Sequence, residues 1–252
     1  MEAVTITNPI THMRLAALLA VPPQPRMLLI ACHGFRGGKE NAGRIYGLGA
    51  DLNAIGIGLL AFDFSGSGQS EGSFDTMTLS RQASDLKAVM SWARANYALP
   101  LVLLGRSFGG STVIAGGAED KAVAGYVLWS TPVWLEQTFA AILPDAYCRL
   151  KNGQRIEIQQ DGDCYALGPE MAADLSVIDL HAALDAIGDR PVLIVHARDD
   201  EVVAVANALE LKRHLPQARL HLFDRAGHKF IEHSAERQAL TIEWLRSTFG
   251  EA

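Results

Sequence analysis

An α/β fold with a mostly parallel sheet follows from three observations on the 252 residues. Short runs are almost continuously apolar, helix-length amphipathic stretches separate them, and the two kinds alternate along most of the chain. The first two segments, about Val4–Thr7 and Met13–Val21, have no helix between them, so they are expected to form an antiparallel hairpin at the sheet edge. Buried strands are expected at Met27–Cys32, Ile57–Phe62, Leu101–Gly105, Gly125–Trp129, Pro191–His196 and Leu220–Phe223. None alternates apolar with polar, as parallel strands covered on both faces do not. Helices are expected over Ala42–Ala54, Ser80–Asn96, Ser107–Gly117, Val203–Leu215 and Ala235–Phe249. They would cover both faces through right-handed crossovers.

The alternation stops between Val133 and about Leu180. A short helical piece around Trp134–Ala141 is followed by Arg149–Leu150 and Arg155–Ile158, which flank Asn152-Gly153. Asn-Gly between strand-like residues predicts a hairpin, because both residues tolerate positive φ. Asp161-Gly162 offers a second turn. The stretch reads as a small insertion, about 133–178, in a single domain spanning 1–252.

Composition narrows the function. Apolar residues make up 49% and charged residues 20%, ordinary for a globular chain and incompatible with disorder. With 22 basic and 28 acidic residues the net charge is −6, with no long run of either sign. Nucleic-acid binding needs a concentrated basic surface to displace counterions, so it is not expected. The longest stretch without Asp, Glu, Lys or Arg is Ala122–Leu135, 14 residues, whereas a membrane-spanning helix needs about 20. Cys32, Cys148 and Cys164 are too few for a disulfide scaffold. A hairpin could bring Cys148 and Cys164 together, but the expectation is that they stay unpaired. A cytoplasmic location is the corresponding expectation.

The chemistry concentrates at Gly105-Arg106-Ser107-Phe108-Gly109, directly after a predicted strand and opening a predicted helix. This is a G-x-S-x-G nucleophile elbow in strand–turn–helix context. The bend strains Ser107 and exposes its hydroxyl, side chains at 105 and 109 would collide with backbone, and the helix N-terminus adds positive partial charge. Such a serine needs a base, expected downstream in the order serine, acid, histidine. His228 fits best, in a loop after the last strand, with His233 in reserve. The acid lies in the run Asp199-Asp200-Glu201 after the strand ending at His196, and the residues alone leave Asp199 and Asp200 both open. An oxyanion hole would use the N–H of Phe108 and that of Phe35, in His33-Gly34-Phe35 after an early strand.

Taken with Asp63–Gly72, His196–Val203 and Gly227-His228, these motifs give the chain a resemblance to the α/β-hydrolase superfamily, nearest the cinnamoyl/feruloyl esterase type and its dienelactone-hydrolase-like and monoglyceride-lipase-like relatives. The resemblance implies Asp200 as the acid, the last Asp of an H-G-x-x-D-x-x-V pattern, although Ala197 replaces the usual glycine. Arg106 stands where histidine is frequent. The resemblance further implies that the insertion is a lid whose Trp134, Phe139, Tyr147 and Tyr165 line an acyl or aromatic pocket. The expected function is hydrolysis of a small-molecule carboxylic ester by Ser107, His228 and Asp200, with no cofactor and no metal, in a monomer or homodimer. A thioesterase, peptidase, acyltransferase or perhydrolase would share the triad, and a non-catalytic binding protein is the reading from another class.

Overall fold

The computed structural model describes residues 1–160 and 163–250. In chain order, β1 (Glu2–Thr7), β2 (Arg14–Ala20) and β3 (Met27–Cys32) precede α1 (Arg44–Ala54) and β4 (Ile57–Phe62). Then come α2 (Leu79–Tyr97), β5 (Leu101–Arg106), α3 (Phe108–Gly117) and β6 (Val123–Trp129). Next are α4 (Leu135–Ile142), α5 (Pro144–Lys151), β7 (Ile156–Gln160), β8 (Asp163–Leu167), α6 (Glu170–Val177) and α7 (Leu180–Ile187). The chain closes with β9 (Val192–Ala197), α8 (Ala206–His214), β10 (Arg219–Phe223) and α9 (Ser234–Phe249).

Eight strands form the main sheet in the order β1-β2-β4-β3-β5-β6-β9-β10. Strand β2 runs antiparallel to both β1 and β4, and the remaining neighbours are parallel. The central strands β3, β4 and β9 are buried along their whole length, which explains their unbroken apolar runs. Apolar side chains leave the sheet on both sides. One layer gathers Ile45, Leu48 and Leu52 of α1 with Trp244 and Leu245 of α9. The other gathers Leu86 and Val89 of α2, Val113 and Ile114 of α3, and Leu211 of α8.

This architecture places the chemistry at one edge. Cys32 of β3 lies beside Gly105 of β5, and Arg106 lies beside Trp129 of β6. The carboxyl ends of β3, β5, β6 and β9 are thus level, and the loops leaving them share a crevice, the usual ligand site of an open parallel sheet.

The insertion departs from expectation. Asn152-Gly153 is not a hairpin turn; it ends α5. Gly153 has φ +78°, its N–H donates to the Leu150 carbonyl at 2.9 Å, and the Gln154 N–H donates to the Arg149 carbonyl at 3.0 Å. Arg149 and Leu150 are therefore helical, in a helix with Pro144 in its first turn and Arg149 and Lys151 in its last. A left-handed glycine serves a helix end as well as a hairpin. The hairpin of this region is β7–β8, with Gln160 paired to Asp163; the second candidate turn, Asp161-Gly162, lies outside the described residues. Helix α6 completes the segment, and α7 follows it before β9. The Asp179 side chain caps α7 by accepting from the His181 and Ala182 N–H groups at 3.0 and 3.1 Å. Cys32 is buried, Cys148 and Cys164 are exposed, and the three thiols are free.

Candidate active site

Ser107 sits between β5 and α3 with φ 53° and ψ −126°, a backbone region that non-glycine residues rarely occupy. The bend is held by the Ser107 N–H donating to the Trp129 carbonyl and by the Gly110 N–H donating to the Ser107 carbonyl, both at 2.7 Å. A methyl group at Gly105 would fall onto the Gly109 carbonyl, and one at Gly109 onto the Cys32 and His33 carbonyls. The turn therefore packs backbone against backbone, against both itself and β3.

The predicted histidine reaches it. His228 Nε2 lies 3.0 Å from Ser107 Oγ, across 121 residues of chain. Its Nδ1 lies 3.0 and 2.9 Å from the two oxygens of Asp200. A carboxylate can only accept, so Nδ1 carries the proton and Nε2 is left to accept from the serine hydroxyl. His233, the reserve candidate, is engaged elsewhere, 3.0 Å from Glu236.

All three acids after β9 act on this imidazole, each differently. Asp200 is buried and also accepts the Val202 and Val203 N–H groups at 3.0 and 2.7 Å. Burial pushes its carboxyl up, but the His228 hydrogen bond and charge, with the Val203 amide, outweigh that and leave it below its ordinary value. Asp199 accepts the Ala226 and Gly227 N–H groups at 2.9 and 3.0 Å, which holds the histidine loop. Glu201 accepts the N–H of His228 itself at 2.9 Å. Nothing in the run of acids distinguishes these tasks in advance. His196 lies at the carboxyl end of β9, just before these acids. It is fully buried, with Nε2 2.8 Å from the Val203 carbonyl and 3.5 Å from Asp200, so it braces the acid from behind.

The loop after β3 supplies the opposite wall. A methyl at Gly34 would lie 3.1 Å from the Ser107 Cβ, so the loop passes directly beside the elbow. His33 Nδ1 donates to the Gly34 carbonyl at 2.9 Å, and Nε2 accepts the Phe64 N–H at 3.3 Å. Burial lowers the pKa of His33, consistent with a neutral, structural imidazole. Farther along, the buried Asp63 accepts the Lys39 N–H at 2.7 Å, Lys39 Nζ at 2.8 Å and the Gln69 N–H at 2.9 Å, tying this loop to the one after β4. Neither the Phe35 nor the Phe108 N–H has an acceptor among the described residues. The latter opens α3, where helix geometry provides none.

A cleft of about 380 Å³ lies over Ser107 and His228. Its apolar wall includes Phe35, Phe108, Phe139, Ile142, Leu143 and Tyr165. Of the four insertion aromatics expected here, Phe139 and Tyr165 reach the cleft, with ring centroids 5.3 and 6.0 Å from that of Phe35. Tyr147 does not: it is 3% exposed and stacked behind Phe139 at 6.4 Å. Trp134 faces a separate groove beside Leu175 and Ile178. Away from the cleft, His181, Glu210 and His214 bring ligand-type atoms within 4.8 Å of one another between α7 and α8, where Arg213 bonds to both Glu210 and His214 at 2.7 Å.

Residues 23–158 match the family described as "Serine aminopeptidase, S33". The chain belongs to this family. Among curated relatives, the pimeloyl-[acyl-carrier protein] methyl ester esterase of Nitrosomonas europaea is 41% identical over 117 residues, 46% of this chain and 36% of that protein. The chain thus spans little more than a third of that relative's length. The monoacylglycerol lipase of Mycolicibacterium smegmatis is 24% identical over 223 residues, 79% of each chain. Among solved structures, ferulic-acid-bound Est1E from Butyrivibrio proteoclasticus superposes with a TM-score of 0.82 at 23% identity, covering 98% of this chain and 99% of that one. An esterase of Pyrococcus furiosus gives 0.75 at 21% identity, covering 99% and 91%. The fold is that of the α/β hydrolases, as the motifs predict.

Proposed function

We propose that the chain is a serine hydrolase of carboxylic esters with small acyl or aromatic-acyl groups, and that Ser107, His228 and Asp200 perform the reaction. The observation that carries the proposal is the continuous relay from Ser107 Oγ through His228 to Asp200, with contacts of 3.0 and 2.9 Å. Ser107 Oγ attacks the ester carbonyl while its proton passes to His228 Nε2. The carbonyl oxygen becomes negative between the Phe35 and Phe108 N–H groups, where each donor is worth on the order of 3 kcal/mol of barrier. Collapse of the tetrahedral intermediate breaks the bond to the alcohol oxygen, which leaves with the proton from His228. Water then adds to the acyl-serine, gives its proton to His228, and the carboxylic acid departs as Ser107 recovers its hydrogen. Asp200 keeps the imidazole in its working tautomer throughout. Segment 133–178 serves as the lid, with Phe139 and Tyr165 facing the acyl group.

An ester, rather than the amino-terminal peptide bond of an aminopeptidase, agrees with the cleft's charges. An aminopeptidase must hold a free ammonium group, and the described wall of this cleft carries no Asp or Glu. Ser107→Ala is expected to lower kcat on p-nitrophenyl esters by a factor on the order of 10⁶, since members of such a relay act as a unit. Turnover near that of the native enzyme would overturn the proposal. A fluorophosphonate probe should label Ser107 and leave the alanine variant unlabelled. A series of p-nitrophenyl acyl chains, run beside methyl ferulate and a monoacylglycerol, reads out the acyl preference.

A further inference from the structure

The charged residues that line the described part of the catalytic cleft are Arg36, Arg106 and Lys229. All are basic, in a chain whose net charge is −6. Arg36 lies over the Tyr165 ring at 4.2 Å. Lys229 is exposed, beside His228 at the cleft.

Arg106, the residue before the proposed nucleophile, is the most informative. It lines both the cleft and an adjoining cavity floored by Cys32, Leu104 and Trp129. It has no carboxylate partner among the described residues, and its buried Nε has no acceptor. Behind it Arg237, 2% exposed, stacks over Trp129 at 4.1 Å and Phe230 at 4.6 Å, and its Nε and Nη1 also lack acceptors. Burial lowers the pKa of both guanidiniums and the charge of Arg44 adds to it at each; at Arg237 the charge of Arg106 lowers it further, to about 9. The acid whose field reaches Arg106 is Asp200, which is already bound to His228. Buried donors without acceptors and like charges without a counter-charge mark a place where an anion completes the structure.

We infer that the ester hydrolysed here carries a carboxylate, which the Arg106 guanidinium holds beside Ser107 while Lys229 adds charge at the mouth of the cleft. The inference rests on the esterase reading and extends it to a substrate class. A planar guanidinium pairs with a carboxylate through two parallel hydrogen bonds, whereas a neutral ester leaves those donors unpaired. The preference arises as much from that penalty as from the attraction.

Two matched pairs of probes test it, one for each side of the scissile bond. On the acyl side, p-nitrophenyl hydrogen adipate is compared with p-nitrophenyl hexanoate. On the leaving-group side, 4-acetoxybenzoate is compared with 4-acetoxybenzamide. In at least one pair the anionic ester is expected to have about 10- to 100-fold higher kcat/KM, the range of a charge-assisted hydrogen bond. Salt should shrink that ratio in the native enzyme, a readout that requires no variant. Arg106→Gln should bring the ratio close to one, and Arg106→Lys should restore it only in part. If the native enzyme hydrolyses the neutral ester as well as or better than the anionic one in both pairs, the inference falls and the esterase reading stands. A ratio that survives Arg106→Gln removes Arg106 from the role. Hydrolysis of none of the four esters would instead count against the esterase reading.

Discussion

Asp199, Asp200 and Glu201 hold one imidazole from three directions: the loop before it, the ring, and its own amide. Asparagine at 200 keeps the shape but turns the contact with Nδ1 from a charged acceptor into an amide that can stabilise the wrong tautomer. Asp200→Asn is therefore expected to lower kcat by about 10⁴. Asp199→Asn loosens hydrogen bonds to the Ala226 and Gly227 amides without touching the ring, and should cost far less. Steady-state rates of the two variants on one p-nitrophenyl ester decide the matter; equal losses would disprove the division of labour. At this scale the sequence was partly legible. Ser107 and His228 stood out because each sits in a frame that local residues define, an elbow and a loop after the last strand. Asp200 could not be told from Asp199 by its neighbours, because the difference is which carboxylate turns inward. The insertion aromatics were harder still. Phe139 and Tyr147 belong to consecutive helices, and only their packing decides that one ring faces the cleft and the other lies behind it.

Among the elements, the contact between α3 and the end of β3 matters most for the site. It brings the Gly109 backbone onto the Cys32 and His33 carbonyls, and so fixes the distance between the elbow and the loop that carries Phe35. Gly109→Ala forces these apart and should destabilise the protein by about 1–3 kcal/mol or more through overpacking. Activity should fall further than stability alone explains, because the two N–H donors separate. Urea unfolding, together with kcat measured well below the transition, separates the effects; unchanged values of both would show that the contact gives way freely. The regular strands and helices were readable because apolar period and length agree in each. The elements between β6 and β9 were less readable, since α5, α6 and α7 span only eight residues apiece. Their start signals, Pro144 and Asp179, were present, but short helices depend on tertiary packing more than on propensity.

For the molecule as a whole, the sheet order was the least accessible property. Nothing local reveals that β3 lies between β4 and β5, or that β9 pairs with β6 across more than sixty intervening residues. The alternation of elements implied a parallel sheet, and the general rule for such sheets placed the ligand at the carboxyl ends of the strands. Burial explains why that sufficed: both faces are sealed by apolar layers, so the strand ends are where the loops are free to differ.

Strands β6 and β9 are bonded neighbours, with Tyr126 beside Val192 and Trp129 beside Val195, yet α4 through α7 intervene in the chain. Everything between them leaves and rejoins the scaffold at one seam, much as an interchangeable tool fits a fixed handle. Exchanging residues 133–178 for the corresponding stretch of a relative should leave the reacting groups in register and the melting temperature within a few degrees, while altering which esters are accepted. Acyl-chain profiles of such a chimera would measure it; a chimera that failed to react with a fluorophosphonate would show that the handle and the tool are one piece.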